Sequence, residues 1–129
     1  MKKKEKKILI VDDAATVRLF ERTILEEAGF TVEEAINGME ALEKIEINGP
    51  YSLYIADINM PQMDGYTFLE ELRSKDIEQA PALMVSTESE ECDRDRAYRA
   101  GANYYLTKPI KPDILLAYCR VLLGIGGET

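Results

Sequence analysis

Apolar residues recur along this chain in two periods that alternate. Ile8-Leu9-Ile10-Val11, Thr31–Ala35, Leu53-Tyr54-Ile55-Ala56, Ala82–Val85 and Tyr104–Thr107 are short runs rich in aliphatic, β-branched and aromatic residues. Runs of that length and composition predict buried strands. Between them the spacing changes to that of helices. Val17, Phe20, Ile24, Leu25 and Ala28 mark one helical face, and Gly29 follows as a stop. Met39, Leu42, Ile45 and Ile47 mark a second after Asn37-Gly38, and Tyr66, Phe68, Leu69 and Leu72 a third after Asp64-Gly65. Ala97, Tyr98 and Ala100, ended by Gly101, form a weaker fourth. Ile114, Leu115, Tyr118, Val121 and Leu122 form a fifth, with Pro112 in its first turn.

Strand and helix thus alternate five times. Such alternation predicts an α/β domain with a parallel sheet covered by helices on both faces. Right-handed crossovers narrow the topology to a doubly wound, flavodoxin-like (βα)5 fold of strand order 2-1-3-4-5. The 129 residues suit a single domain. Its core spans about residues 7–123, between a basic arm at 1–6 and a glycine-rich tail at 124–129. In an open parallel sheet, ligands bind beyond the carboxyl ends of the strands, and three strand ends here carry charge. Asp12 and Asp13 follow the first strand, Asp57 the third and Lys108 the fifth, and Ser86 ends the fourth.

Composition removes several classes of function. The net charge of −8 argues against a domain-wide binder of nucleic-acid backbone. No histidine is present, which excludes histidine catalysis and a conventional zinc site. Cys92 and Cys119 have no ligand spacing and read as ordinary, partly buried thiols. With no disulfide framework and no secretory leader, the expected compartment is the cytoplasm. No apolar run approaches the roughly 18 residues of a membrane helix, so no membrane partner is expected.

The chemistry therefore rests on carboxylates. Either aspartate of the Asp12-Asp13 pair could cap the helix that follows. Two adjacent acids exceed that need and suit a hard, oxygen-seeking cation such as Mg2+. Asp57 could open a turn, but beside a metal its carboxylate could attack a phosphoryl group in line. Lys108, held by Pro109, could neutralise charge on the transferred oxygens. Ser86 and Thr87 could donate a hydroxyl to a phosphoryl oxygen or cap the next helix. Tyr104 reads as core or edge packing.

Taken together, Asp12-Asp13, the run Asp57-Ile58-Asn59-Met60-Pro61-Gln62-Met63-Asp64-Gly65, Ser86 and Lys108-Pro109 resemble a response-regulator receiver domain. The resemblance covers nearly all of Lys7–Leu123 and is nearest to the single-domain chemotaxis regulators. It implies that Asp57 is the phosphoacceptor for a histidine kinase. It implies that Asp13, Asp57 and the backbone carbonyl of Asn59 bind Mg2+ directly and that Asp12 assists through water. Ser86 would be the switch hydroxyl, Lys108 the ion-pair partner of the phosphoryl group, and Tyr105 the aromatic that swings inward. Asn59 and Glu88 match positions that tune self-dephosphorylation, and Lys108–Pro109 is a candidate cis peptide. The implied product is a monomeric signalling module, not an enzyme with turnover, and its implied output is a protein partner such as the flagellar motor switch.

Two features depart from that pattern. Ser86 stands where threonine is more usual, and Ala14 where the chemotaxis regulators carry a bulky aromatic. The acidic stretch Glu88–Asp93 is either a favourable helix start or a surface that selects a different partner. Other functions stay open on the sequence. The domain could be a phosphate sink for a shared kinase, a binding module without phosphotransfer, or a Mg2+-dependent hydrolase of the haloacid dehalogenase type. The last lacks its Asp-x-Asp pattern after the first strand.

Overall fold

The computed structural model describes residues 6–125. All but Lys6 of the predicted arm, and residues 126–129 of the tail, lie outside the described residues. The strands are β1 (Lys7–Val11), β2 (Thr31–Ala35), β3 (Leu53–Ala56), β4 (Ala82–Ser86) and β5 (Tyr104–Thr107). The helices are α1 (Ala15–Glu27), α2 (Gly38–Asn48), α3 (Gly65–Ser74), α4 (Glu91–Ala100) and α5 (Pro112–Leu122). All neighbouring strands pair in parallel, in the order β2-β1-β3-β4-β5. The predicted flavodoxin-like topology is therefore the one observed.

Residues of successive parity point to opposite faces of the sheet, and this divides the core in two. Leu9, Val11, Tyr54, Ala56, Met84 and Tyr105 pack against Ala41 and Ile45 of α2, Phe68, Leu69 and Leu72 of α3, and Ala97 and Ala100 of α4. Ile8, Ile10, Leu53, Ile55, Leu83 and Val85 pack against Leu25 of α1 and Leu115 and Cys119 of α5. Each strand feeds both layers, so the sheet cannot slip by one residue without inverting them. Among the described residues, no helix is long and apolar enough to cross a membrane.

Several apolar positions expected in the core are outside it. In α2 the buried stripe is Ala41 and Ile45, while Met39 and Ile47 are exposed. Each lies two positions from a stripe residue, about 200° around the helix. In α5 Leu115 and Cys119 face the sheet, and Ile114 and Val121 face away from it. Cys92 is exposed and Cys119 buried, so only one of the two thiols is a packing residue.

Helix starts also differ from expectation. Neither Asp12 nor Asp13 occupies the cap position of α1, which is Ala14. Asp12 Oδ1 instead accepts from the Ala14 N–H at 2.9 Å, closing the turn that leads into the helix. Neither Ser86 nor Thr87 caps α4, whose cap is Glu90. The Glu90 N–H donates to the Asp93 carboxylate at 3.3 Å. The acidic stretch thus splits into a loop, Glu88 to Glu90, and a first helical turn from Glu91. Asn37 and Asp64 cap α2 and α3, accepting from the N–H groups of Glu40 and Thr67.

Candidate functional site

The backbone ladder runs one residue past the strands and fixes where the reactive side chains emerge. The Asp12 N–H donates to Ala35 O at 3.1 Å, Asp57 N–H to Val11 O at 2.9 Å and Lys108 N–H to Ser86 O at 2.7 Å. Asp12, Asp13, Asp57 and Lys108, spread over nearly a hundred positions, thereby meet at one sheet edge. One carboxylate oxygen from each aspartate lies within 4.8 Å of the other two. Asp12 and Asp57 are buried and Asp13 is exposed.

Lys108 enters this cluster from the other side. Its Nζ lies 3.2 Å from Asp12 Oδ2 and 3.7 Å from Asp57 Oδ1. Burial raises the Asp57 carboxyl above its ordinary range, Lys108 pulls it back, and Asp12 raises it again. Burial alone would lower the Lys108 ammonium, but the charges of Asp57 and Asp12 outweigh it and hold it above its ordinary value. The Lys108–Pro109 peptide is cis, and so is Gly49–Pro50, which the sequence did not point to.

The segment from Asp57 to Gly65 folds back on itself. Asp57 Oδ1 accepts from the Ile58 N–H at 2.8 Å, and the Gly65 N–H donates to Ile58 O at 2.8 Å. A Cβ at Gly65 would collide with Asp57 O and come within 2.9 Å of Ile58 Cα, so only glycine permits this closure. Asn59 is exposed in this loop, two residues past Asp57.

The other predicted residues form a chain leading away from the carboxylates. Ser86 is fully buried, and its Oγ accepts from the Glu88 N–H at 3.1 Å. Tyr105 is also buried, and its hydroxyl donates to Glu88 O at 2.7 Å. Tyr105 is thus already inward in this structure, without a phosphoryl group on Asp57. Glu88 is exposed and contributes through its backbone. Tyr104 lies at the sheet edge, stacked on Tyr118 with ring centroids 4.5 Å apart.

Two residues near the site were not singled out from sequence. Arg94 lies over the Tyr105 ring at 5.3 Å and donates to Thr107 Oγ1 at 3.1 Å. No sequence signal marks it among the charges of α4. Glu21 is only 4% exposed, and its Oε1 has no hydrogen-bond partner. Burial first, and repulsion from Asp12 second, push its carboxyl from 4.5 to about 8. A signal for Glu21 did exist: it lies four residues after Val17 and four before Leu25, inside the apolar stripe of α1.

The donor set at the sheet edge is all oxygen, with neither thiolate nor imidazole. It fits a hard divalent cation, and the mutual repulsion of its carboxylates would be relieved by one.

Residues 8–120 match the response regulator receiver domain family. This chain is a response regulator receiver domain. It is 36% identical to chemotaxis protein CheY1 of Helicobacter pylori over 120 residues, which span 92% of this chain and 97% of that protein. It is 35% identical to the transcriptional regulatory protein ResD of Bacillus subtilis, over 97% of this chain and 51% of that protein. The crystal structure of Vibrio cholerae chemotaxis protein CheY4 superposes with a TM-score of 0.86 at 32% identity, covering 92% of this chain and 99% of that one. The receiver fold is therefore shared with chemotaxis and transcriptional regulators alike.

Proposed function

We propose that this receiver is a phosphorylation switch: Asp57 accepts a phosphoryl group from a histidine kinase in a Mg2+-dependent reaction, and the β4-α4-β5-α5 face passes the change to a protein partner. The observation that carries this reading is the buried Asp57 carboxylate set among Asp12, Asp13 and Lys108. In the transfer, an Asp57 oxygen forms a bond to phosphorus as the bond from phosphorus to the kinase imidazole nitrogen breaks. The electron pair stays on the imidazole, which takes up a proton. Asp12, Asp13, Asp57 and the Asn59 carbonyl would hold Mg2+, which when bound neutralises charge on the phosphoryl oxygens.

The remaining roles belong to the protein. Lys108 already lies 3.7 Å from Asp57 Oδ1 and would pair with a phosphoryl oxygen added there. The Ser86 hydroxyl would turn toward the same group and weaken its turn with Glu88. Glu88 O is the acceptor for Tyr105, so the Ser86–Glu88–Tyr105 chain links phosphate to the output face. Roughly −1.5 to −2 added charges are enough to bias such a chain. Hydrolysis of the acyl phosphate would reset it, with exposed Asn59 and Glu88 placed to tune the rate. The domain would thus act as a self-dephosphorylating phosphoacceptor, not as an enzyme turning over a separate substrate.

The likeness to CheY1 and CheY4 favours a CheY-like output in chemotaxis or motility. The likeness to ResD favours a second reading, in which the receiver controls transcription. Intact mass after incubation with Mg2+ and acetyl phosphate tests the shared chemistry. One added phosphoryl group on wild type, and none on a folded Asp57→Asn variant, is the expected result. Equal labelling of both would overturn the assignment of Asp57. The lifetime of the adduct then separates a signal from a phosphate sink, since a sink releases phosphate quickly without engaging an output partner.

A further inference from the structure

We infer that the cleft between α1 and the β5–α5 loop is a binding site for a small organic cation with an apolar body, such as an aryl amidine, held by the Glu21 carboxylate. The cleft encloses about 460 Å³ and is walled by Val17, Phe20, Val85, Pro109 and Ile110, with Glu21 and Lys108 among its lining. That volume lies within the range of small-molecule sites, which combine mostly apolar walls with a few placed polar groups. Glu21 supplies the placed group. Its side chain is 4% exposed, and Oε1 has no partner among the described residues. A buried acceptor left without a partner is unfavourable, and its persistence at a cavity wall points to a ligand.

Charge selects the class of ligand. Glu21 shares its surroundings with Asp12 and Asp57, against the single cation Lys108. Lys108 is already held by two carboxylates, at 3.2 and 3.7 Å. An anion would meet Asp12 and Asp57 and hold Glu21 protonated, whereas a cation would meet the field of the two aspartates and draw the proton off Glu21. A planar amidinium also offers two parallel N–H donors to one carboxylate, the geometry that makes guanidinium–carboxylate pairs strong. The apolar walls would cover an aromatic or short aliphatic body. The cleft borders the phosphate-accepting site and shares Lys108 with it, but its ligand bonds to Glu21 and not to Asp57, so cation binding and phosphate acceptance are read by separate measurements.

The test is a titration at pH 8 of wild type and Glu21→Gln with benzamidine, benzamide and benzoate, followed by backbone amide NMR. Gln keeps the shape of Glu and removes only its charge, so the variant should fold, and its spectrum verifies that. Benzamidine is expected to give saturable shifts centred on residues 16–21 and 108–110. Loss of the charged partner should weaken it about tenfold, the effect of one charge-assisted bond. Benzamide and benzoate should bind wild type at least about tenfold more weakly on the same grounds. Equal affinity for benzamide, an unchanged affinity in Glu21→Gln, or shifts spread away from the cleft would each overturn the assignment.

Discussion

The Lys108 ammonium lies closer to Asp12 than to Asp57, 3.2 Å from Asp12 Oδ2 against 3.7 Å from Asp57 Oδ1. One lysine thus offsets two buried carboxylates, and its hydrogen bond goes to the one that is not the proposed phosphoacceptor. The nearer pairing leaves Lys108 a short move from any group added to Asp57.

Lys108→Met would leave Asp12 and Asp57 facing each other with no cation between them. The expected loss is about 2 kcal/mol of stability, below the roughly 3–5 kcal/mol of a fully buried pair because Lys108 is partly exposed. Urea unfolding without divalent ions measures it. Millimolar Mg2+ should return much of the loss, and a variant as stable as wild type would show that the pair contributes nothing.

Mg2+ should stabilise the wild-type domain by ordinary ligand linkage. At ten times its Kd the gain is about 1.4 kcal/mol, visible as a higher Tm. Asp13→Asn should reduce this response, since Asp13 is the exposed member of the carboxylate group and removing its charge disturbs no buried contact. A midpoint indifferent to Mg2+ in wild type would count heavily against the site.

Glu21 should make stability fall with rising pH. Its carboxyl stands at about 8 in the fold against 4.5 ordinarily. The folded state therefore holds a proton that the unfolded chain has released. The contribution of this group is fully present below pH 4.5 and is lost as pH climbs to about 8. The full span corresponds to about 5 kcal/mol as an upper bound. Glu21→Gln should flatten that slope and be the more stable protein at pH 8, as denaturant midpoints across pH 5–9 would show. Parallel curves for the two proteins would mean that the carboxyl is not buried as described.

Tyr105→Phe removes the donor to Glu88 O while keeping the ring beneath Arg94. The expected cost is about 1 kcal/mol, the net value of one hydrogen bond. Amide exchange in the Thr87–Glu90 loop should rise while the sheet stays protected. If the loop is unchanged, the Ser86–Glu88–Tyr105 chain does not link the phosphate site to the output face.

The strand runs and the helix stops at Gly29 and Gly101 were legible because each is a local preference of a few neighbouring residues. The sheet order followed from alternation and handedness. The family was legible because Asp12, Asp13, Asp57, Ser86 and Lys108 each sit at a strand end, a position that pattern alone can assign. Local pattern failed at Met39, Ile47 and Val121, whose apolar character suggested a wider buried stripe than a short helix on a sheet can cover. It failed again at Ser86 and Thr87, because a loop of three residues separates β4 from the cap of α4.

What the sequence by itself determined was which residues gather at the candidate site, since periodicity and strand ends are properties of the chain. What only the tertiary structure decided was how those residues share charge. Distances such as that of Lys108 from its two carboxylates depend on three strands and the ladder joining them. The burial of Glu21 depends on α1 packing on the sheet beside α5. Coulomb energy and desolvation vary with separation and with the water excluded, and neither quantity exists until the chain has packed.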